Sequence, residues 1–284
     1  MPSHKQPLAE VFGHLVTDHT KKATRYRSHR LCPFNNKVPS CTKDKAKNPL
    51  GVCSIYHEDQ PVITCPIRFR EEWIIADDAA SFFFDESATW SSLTEVRLND
   101  ANGKSAGNID VVLVAYDEQG QVYDFGALEI QAVYISGNVR DPFEHYMRDP
   151  RARAQMDWSN ETNYPRPDYL SSSQKRLAPQ LLCRSEIFHR WGKKIAVALN
   201  RGFFNTLPRL HEVSKGEADI AWMVYDVVPG VNRDSQASPQ MKLAMHKVVY
   251  SKWPDFLDAT RITISEDIST FSMRIDAMLD DLAV

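Results

Sequence analysis

Asp110, Glu129 and Gln131 have the types and spacing that could do chemistry. Asp110 ends Gly107-Asn-Ile-Asp and precedes the apolar run Val111–Tyr116. Glu129 and Gln131 lie in a second such run, Val122 to Val133, with the polar stretch Asp117–Gln121 between the two. Two β-branched-rich runs around a turn containing Gly120 predict a β-hairpin. A loop centred between Gln119 and Gly120 puts Glu129 opposite Asp110, whereas a bulge at Gly120 slides the pairing by one residue. Gln131 shares the face of Glu129 because strand side chains alternate. Both runs are apolar on both faces, as at the centre of a covered sheet. Two carboxylates opposed there repel, and desolvation costs roughly several kcal/mol per ion. A divalent cation removes both problems, and oxygen-only ligands suit Mg²⁺ or Mn²⁺. The competing reading is a carboxylate at a strand end in water, or one neutralised by an arginine.

The full set is an Asp, an interval of 19, then Glu-x-Gln on an apolar strand. It resembles the catalytic core of the PD-(D/E)xK nucleases, with Asp110 at the Asp position and Glu129-Ile-Gln131 at the (D/E)xK position. No proline precedes Asp110, and Gln131 replaces the lysine. Glutamine cannot act as a base, so activating water falls to the bound cation.

The cysteines form a second constellation. Four of the five lie at Cys32, Cys41, Cys53 and Cys65, with 8, 11 and 11 residues between them, in a segment rich in proline. No run after Met1 looks like a leader and none reaches membrane-spanning length, so a soluble, cytoplasmic protein without a membrane partner is expected. Clustered cysteines there suggest a metal more than disulfides. Residues 32–66 have too few large apolar side chains for a core, and a four-cysteine site supplies folding energy on the order of 10 kcal/mol. Tetrahedral thiolates accept zinc or iron, and the spacing does not choose between them.

Cys32-Pro-Phe-Asn, Cys41-Thr-Lys, Pro49-Leu-Gly-Val-Cys53-Ser and Cys65-Pro, followed by the nuclease hairpin, resemble the NotI family of type II restriction endonucleases over about residues 10 to 200. The resemblance implies one structural iron held by Cys32, Cys41, Cys53 and Cys65, with zinc as the alternative. It further implies catalytic Mg²⁺ on Asp110 and Glu129, with Gln131 matching the family's own glutamine. A homodimer cutting double-stranded DNA at a GC-rich palindrome follows in the same way.

The formal net charge of −3 excludes a uniformly basic nucleic-acid coat but not a basic cleft. Candidate phosphate contacts are Lys21, Lys22, Arg25, Arg27 and Arg30; Lys43, Lys45 and Lys47; Arg148, Arg151 and Arg153; and Lys175 and Arg176. Ser171 and Ser173 precede the last pair at the start of an expected helix, where free N–H groups favour phosphate.

These residues need elements to hold them. Residues 7–22 suggest an amphipathic helix with Val11, Leu15 and Val16 inward. Arg68 to Phe84 reads as a helix with Trp73, Ile74, Ala80 and Phe83 on its apolar face. A second helix, capped by Asp85 or Ser87, would carry Glu95; the resemblance implies a further catalytic carboxylate there, and the alternative is an ordinary exposed helix glutamate. A polar loop is expected from Tyr134 to Asp141, then a helix burying Phe143, Tyr146 and Met147. Strands are expected at 193–200, 218–225 and 241–250. Cys183 reads as a buried core thiol, Pro229 to Pro239 as a polar loop, and Ile264 to Leu282 as an acidic amphipathic helix.

The expected fold is α/β (α+β). A PD-(D/E)xK core, with a central mixed sheet flanked by helices, fills residues 67–284, and an N-terminal arm with a four-cysteine metal domain fills residues 1–66. The expected function is site-specific DNA hydrolysis. Its rivals are a non-specific defence or repair nuclease and a catalytically silent DNA-binding module.

Overall fold

A computed structural model describes residues 5–45, 47–99, 102–230, 240–264, 269, 272–273 and 275. The chain opens with strands β1 (Leu8–Val11) and β2 (His14–Leu15), helix α1 (Lys21–Ser28), and the short strands β3 (Asp44–Lys45) and β4 (Asn48–Pro49). Next come β5 (Val52–His57), β6 (Gln60–Ile63), a 3-10 segment (Pro66–Trp73) and α2 (Ile74–Phe83). The strands β7 (Trp90–Asn99), β8 (Ser105–Tyr116), β9 (Val122–Gln131) and β10 (Tyr134–Ser136) lead to α3 (Arg140–Arg148) and β11 (Arg166–Asp168). Helix α4 (Tyr169–Ser172) passes through a π-helical turn (Ser173–Leu177) into α5 (Ala178–Arg190). The chain continues with β12 (Ile195–Asn200), α6 (Arg201–Phe204), β13 (Ile220–Pro229), β14 (Met241–Ser251) and α7 (Trp253–Ile264).

The main sheet has six strands in the order β14-β13-β12-β9-β8-β7. It is mixed: β9, β12 and β13 run parallel, and the remaining pairs are antiparallel. One face packs under α2, where Ile75, Ala79, Phe82 and Phe83 meet Val111, Leu113, Leu128 and Ile130. The other face packs under α5 and α7, where Leu181, Phe188, Trp253 and Phe256 meet Val112, Ala127, Val197 and Trp222. Strand β9 is covered on both faces, as its apolar pattern requires.

A four-stranded sheet, β2-β1-β5-β6, stands beside it. Its core of Leu8, Val11, Phe12, Val52 and Ile55 is completed by Phe143 and Tyr146 of α3. A main-chain bond from Val133 N to Ile63 O at 3.0 Å ties the end of β9 to β6. Between the sheets lies a buried charge cluster. Arg68 Nε donates to Glu10, its Nη1 donates to Glu71 at 2.8 Å, and its Nη2 reaches the carbonyl of Met241 on β14.

Three local expectations are corrected. Residues 7–22 are not a helix: Phe12 and Gly13 both have positive φ, giving a two-residue hairpin turn between β1 and β2 with Val11 opposite His14. The stretch after Phe84 forms a turn and then β7, so Glu95 lies on an edge strand and not on a helix. Tyr134–Ser136 is a strand paired with β11, not a loop. The helix over Arg68–Phe84 is present in two pieces, broken where Glu72 and Trp73 take left-handed backbone. The expected helix over 143–147 and the three later strands occur. The Cys183 side chain, residues 231–239 and most of 265–284 lie outside the described residues.

Candidate active site and cysteine centre

The β8–β9 hairpin has the register that opposes the two carboxylates. Val111 pairs with Leu128 and Val112 with Ala127, and the ladder slips only at its far end, where Tyr116 pairs with Val122 beside Gly120. Continuing that register one step places Asp110 opposite Glu129, on the face packed under α5. Asp110 Oδ2 accepts from Ile130 N at 2.8 Å, which clamps its carboxylate across the two strands. Glu129 is 1% exposed, and Gln131 on the same face is also buried.

Burial pushes the Glu129 carboxyl up to about 7, with the Asp110 charge adding to the rise and Arg184 opposing it. Asp110 is also raised by burial, against its bond from Ile130 and the charges of Arg184, Arg70 and Arg176. The two side chains are close enough to share a hydrogen bond when one carries a proton. Glu129 Oε1 is buried without a hydrogen-bond partner. An unsatisfied carboxylate oxygen beside a second carboxylate is a donor set that suits a hard divalent cation.

Helix α5 completes the site. Gln131 Nε2 donates to Gln180 Oε1 at 3.1 Å, and one turn further on Arg184 Nη1 donates to Glu129 Oε2. Glu129 thus both faces Asp110 and pairs with an arginine. Sequence reasoning missed Arg184 and Gln180. Their signal was a pair of polar residues four apart among Leu177, Leu181 and Phe188, on the buried side of a helix. It also missed Arg70, which lies over the Trp73 ring at 5.7 Å with its Nε buried and unpartnered.

Glu95 lies opposite Asp110 in the β7–β8 ladder, between the pairs Thr94–Val111 and Val96–Ile109. Its left-handed backbone (φ +58) takes it out of the pairing, and its side chain is exposed.

Beyond β9, Tyr134 is exposed, and Arg176 stacks over its ring at 4.5 Å. Tyr134 N donates to Ser172 Oγ. Lys175 and Arg176 project from the exposed side of the π-helical turn, whose wide geometry accommodates Pro179 at the start of α5. Ser171 and Ser173 lie in the first turns, but the helix N-terminus is already capped: Asp168 accepts from Ser171 N at 2.9 Å. Among the other candidate phosphate contacts, Arg27 is buried, donates to the carbonyls of Asp18 and Leu15, and stacks on Tyr146. Lys43 Nζ holds the carbonyls of Val52 and Thr64. These two are structural.

The four N-terminal cysteines are free thiols gathered from four places. Cys32 and Cys41 flank a loop closed by the Leu31–Ser40 bridge, with Cys32 N donating to Pro39 O and Cys41 N to Arg30 O. Cys53 lies on β5, and Cys65 lies just past β6, where Thr64 N donates to Cys53 O. Each thiol is close enough to others for their charges to interact. Burial pushes Cys32 up to about 11 and raises Cys41 and Cys53, with neighbouring thiols adding to each rise. Converging thiols that form no disulfide suit a soft or borderline metal, whose binding releases their protons. Among the described residues, no group of three or more His, Cys, Asp or Glu side chains is arranged to hold a metal ion, at either centre. No described helix is long and apolar enough to cross a membrane.

A family model described as restriction endonuclease NotI matches residues 11–240. No curated protein matches the chain.

Proposed function

Because the chain belongs to the NotI family of restriction endonucleases, a family of site-specific deoxyribonucleases, we propose that its active site is the Asp110–Glu129–Gln131 face of the β8–β9 hairpin and that it cuts duplex DNA with Mg²⁺. The observation that carries this reading is Glu129. It is a buried carboxylate with one oxygen unsatisfied, opposite a second carboxylate on neighbouring strands of the mixed sheet. Asp110 and Glu129 would hold the cation. Bound there, Mg²⁺ supplies positive charge for the developing phosphorane and lowers the pKa of water. Asp110 is held in place by the amide of Ile130, so the ligand oxygens are oriented before the cation arrives. Gln131, fixed by Gln180, orients water or phosphate through its amide and takes no proton. Arg176 with Tyr134, and Lys175 beside them, are suited to hold the DNA backbone where it leaves the site.

The same reading assigns Cys32, Cys41, Cys53 and Cys65 to one structural iron that braces the N-terminal loops. Each active site cuts one strand, so a homodimer on a GC-rich palindrome is the assembly proposed. The deciding experiment digests plasmid and phage DNA with Mg²⁺, with EDTA and with Asp110→Ala, then sequences the ends. Discrete fragments with identical palindromic ends, absent with EDTA and in the variant, are expected. A smear abolished by the mutation would remove sequence specificity while keeping the active site. Fragments that survive Asp110→Ala would remove the site itself. Iron is tested separately: aerobic protein should show ferric-thiolate absorbance, and a colourless preparation with one zinc would replace iron by zinc.

A further inference from the structure

Gln131 stands where the related nuclease motif carries a positive charge, and an amide cannot supply one. A cation is nevertheless buried in this site. Arg184 is 6% exposed and reaches Glu129 Oε2 through Nη1. Its Nε is buried with no partner. On the other side of the guanidinium lies Gly107, where an added Cβ would come within 3.2 Å of Arg184 Nη2. Gly107 itself has a positive φ of +102, and its bare Cα lies against the guanidinium.

Two other buried arginines show how an architectural guanidinium is held here: Arg27 leaves its Nε without a partner but places Nη1 and Nη2 on the carbonyls of Asp18 and Leu15. Arg68 uses its Nε, Nη1 and Nη2 on Glu10, Glu71 and the Met241 carbonyl. Arg184 has the same five donors, but among the described residues its one hydrogen bond is to Glu129, and Glu129 leaves its own Oε1 unused there. A buried ion pair so poorly saturated is a costly way to brace a fold. It is a sensible arrangement for a group that exchanges partners. A planar fork with free donors matches the oxygens of a phosphate better than any other side chain.

We propose that Arg184 is the phosphate-binding cation of this active site, parked on Glu129 in the metal-free protein and supplying to the scissile phosphate the positive charge that Gln131 lacks. This rests on the reading of Asp110 and Glu129 as metal ligands. Mg²⁺ and Arg184 then compete for one carboxylate, so cation loading frees the guanidinium for DNA.

The test compares wild type with Arg184→Gln in three measurements. Calorimetry without DNA should show Mg²⁺ binding tightened by about tenfold, because the competing cation is gone. Binding of a duplex that the wild type cuts, measured in Ca²⁺ over a salt series, should lose about one unit of salt slope. Phenylglyoxal labelling of Arg184 in the wild type, mapped by mass spectrometry, should rise with Mg²⁺ and fall when DNA and Ca²⁺ are both present. The labelling needs no variant, so it decides the matter even where Arg184→Gln does not fold. Labelling indifferent to both Mg²⁺ and DNA would overturn the proposal. So would a variant with wild-type Mg²⁺ affinity and wild-type salt slope. A wild type that neither binds Mg²⁺ nor cuts DNA would instead remove the underlying assignment of Asp110 and Glu129.

Discussion

At the scale of single residues, Glu129, the proposed metal ligand, destabilises the fold when no cation is bound. Its ordinary value is 4.5, and in the folded protein it is pushed up to about 7. Below the lower value it is protonated in both folded and unfolded chains and has no effect on stability. Between the two values the unfolded chain releases the proton and the folded one keeps it, so stability is lost as pH rises through that window. The loss is at most about 3 kcal/mol. Urea midpoints in EDTA should therefore fall between pH 4.5 and 7, and Glu129→Gln should flatten that part of the profile. A slope unchanged in the variant would mean that the carboxylate is not buried as described. Asp110, Glu129 and Gln131 were legible in the sequence because polar groups on strands apolar on both faces are anomalous. Arg184 was not, because a charge on a helix ordinarily reads as a solvated face. Only its packing against β9 reveals that it points inward.

At the scale of elements, the hairpin was legible because a period of two and a glycine turn are local signals. Strand β7 was not. Its first half is exposed from Ser91 through Leu93, so the alternation that marks a half-buried strand is confined to Thr94–Leu98. Its partner β8 supplies the order. Residues 7–11 were misread for a related reason: Val11, Leu15 and Val16 fit a helical stripe until the two-residue turn at Phe12-Gly13 folds the chain back. The left-handed backbone at Glu95 costs on the order of 1 kcal/mol for a residue with a side chain. Glu95→Gly should raise the unfolding free energy by about 0.5–1 kcal/mol, read as a higher urea midpoint. If Glu95 is a third carboxylate of the metal cluster, the same variant should bind Mg²⁺ more weakly. A stabilised variant with full Mg²⁺ affinity would take Glu95 out of the cluster.

At the scale of the whole molecule, the two sheets are joined through a charge. Arg68 draws carboxylates from β1 and from its own 3-10 segment and a carbonyl from β14, while Phe34 of the cysteine loop lies 4.3 Å from its guanidinium. None of these partners is near Arg68 in sequence except Glu71, so the cluster could not be read from the chain. Arg68→Met leaves Glu10 buried without its counter-ion and Glu71 with Lys242, at 3.5 Å, as its counter-ion, and should cost about 3–5 kcal/mol in a chemical melt. Replacing Glu10, Arg68 and Glu71 together with apolar residues of similar size should recover most of that loss. If the single and triple variants were equally unstable, packing and not charge would be what the cluster provides. The junction also governs how the molecule opens. Peeling the N-terminal sheet away would take Glu10 from Arg68 and break the Val133–Ile63 bond, so partial opening there costs a buried ion pair as well as packing. Amide protons of β5 and β9 should then exchange with solvent in one cooperative event, the cysteine loop rising and falling with the strands that carry Asp110 and Glu129 as a single foldon.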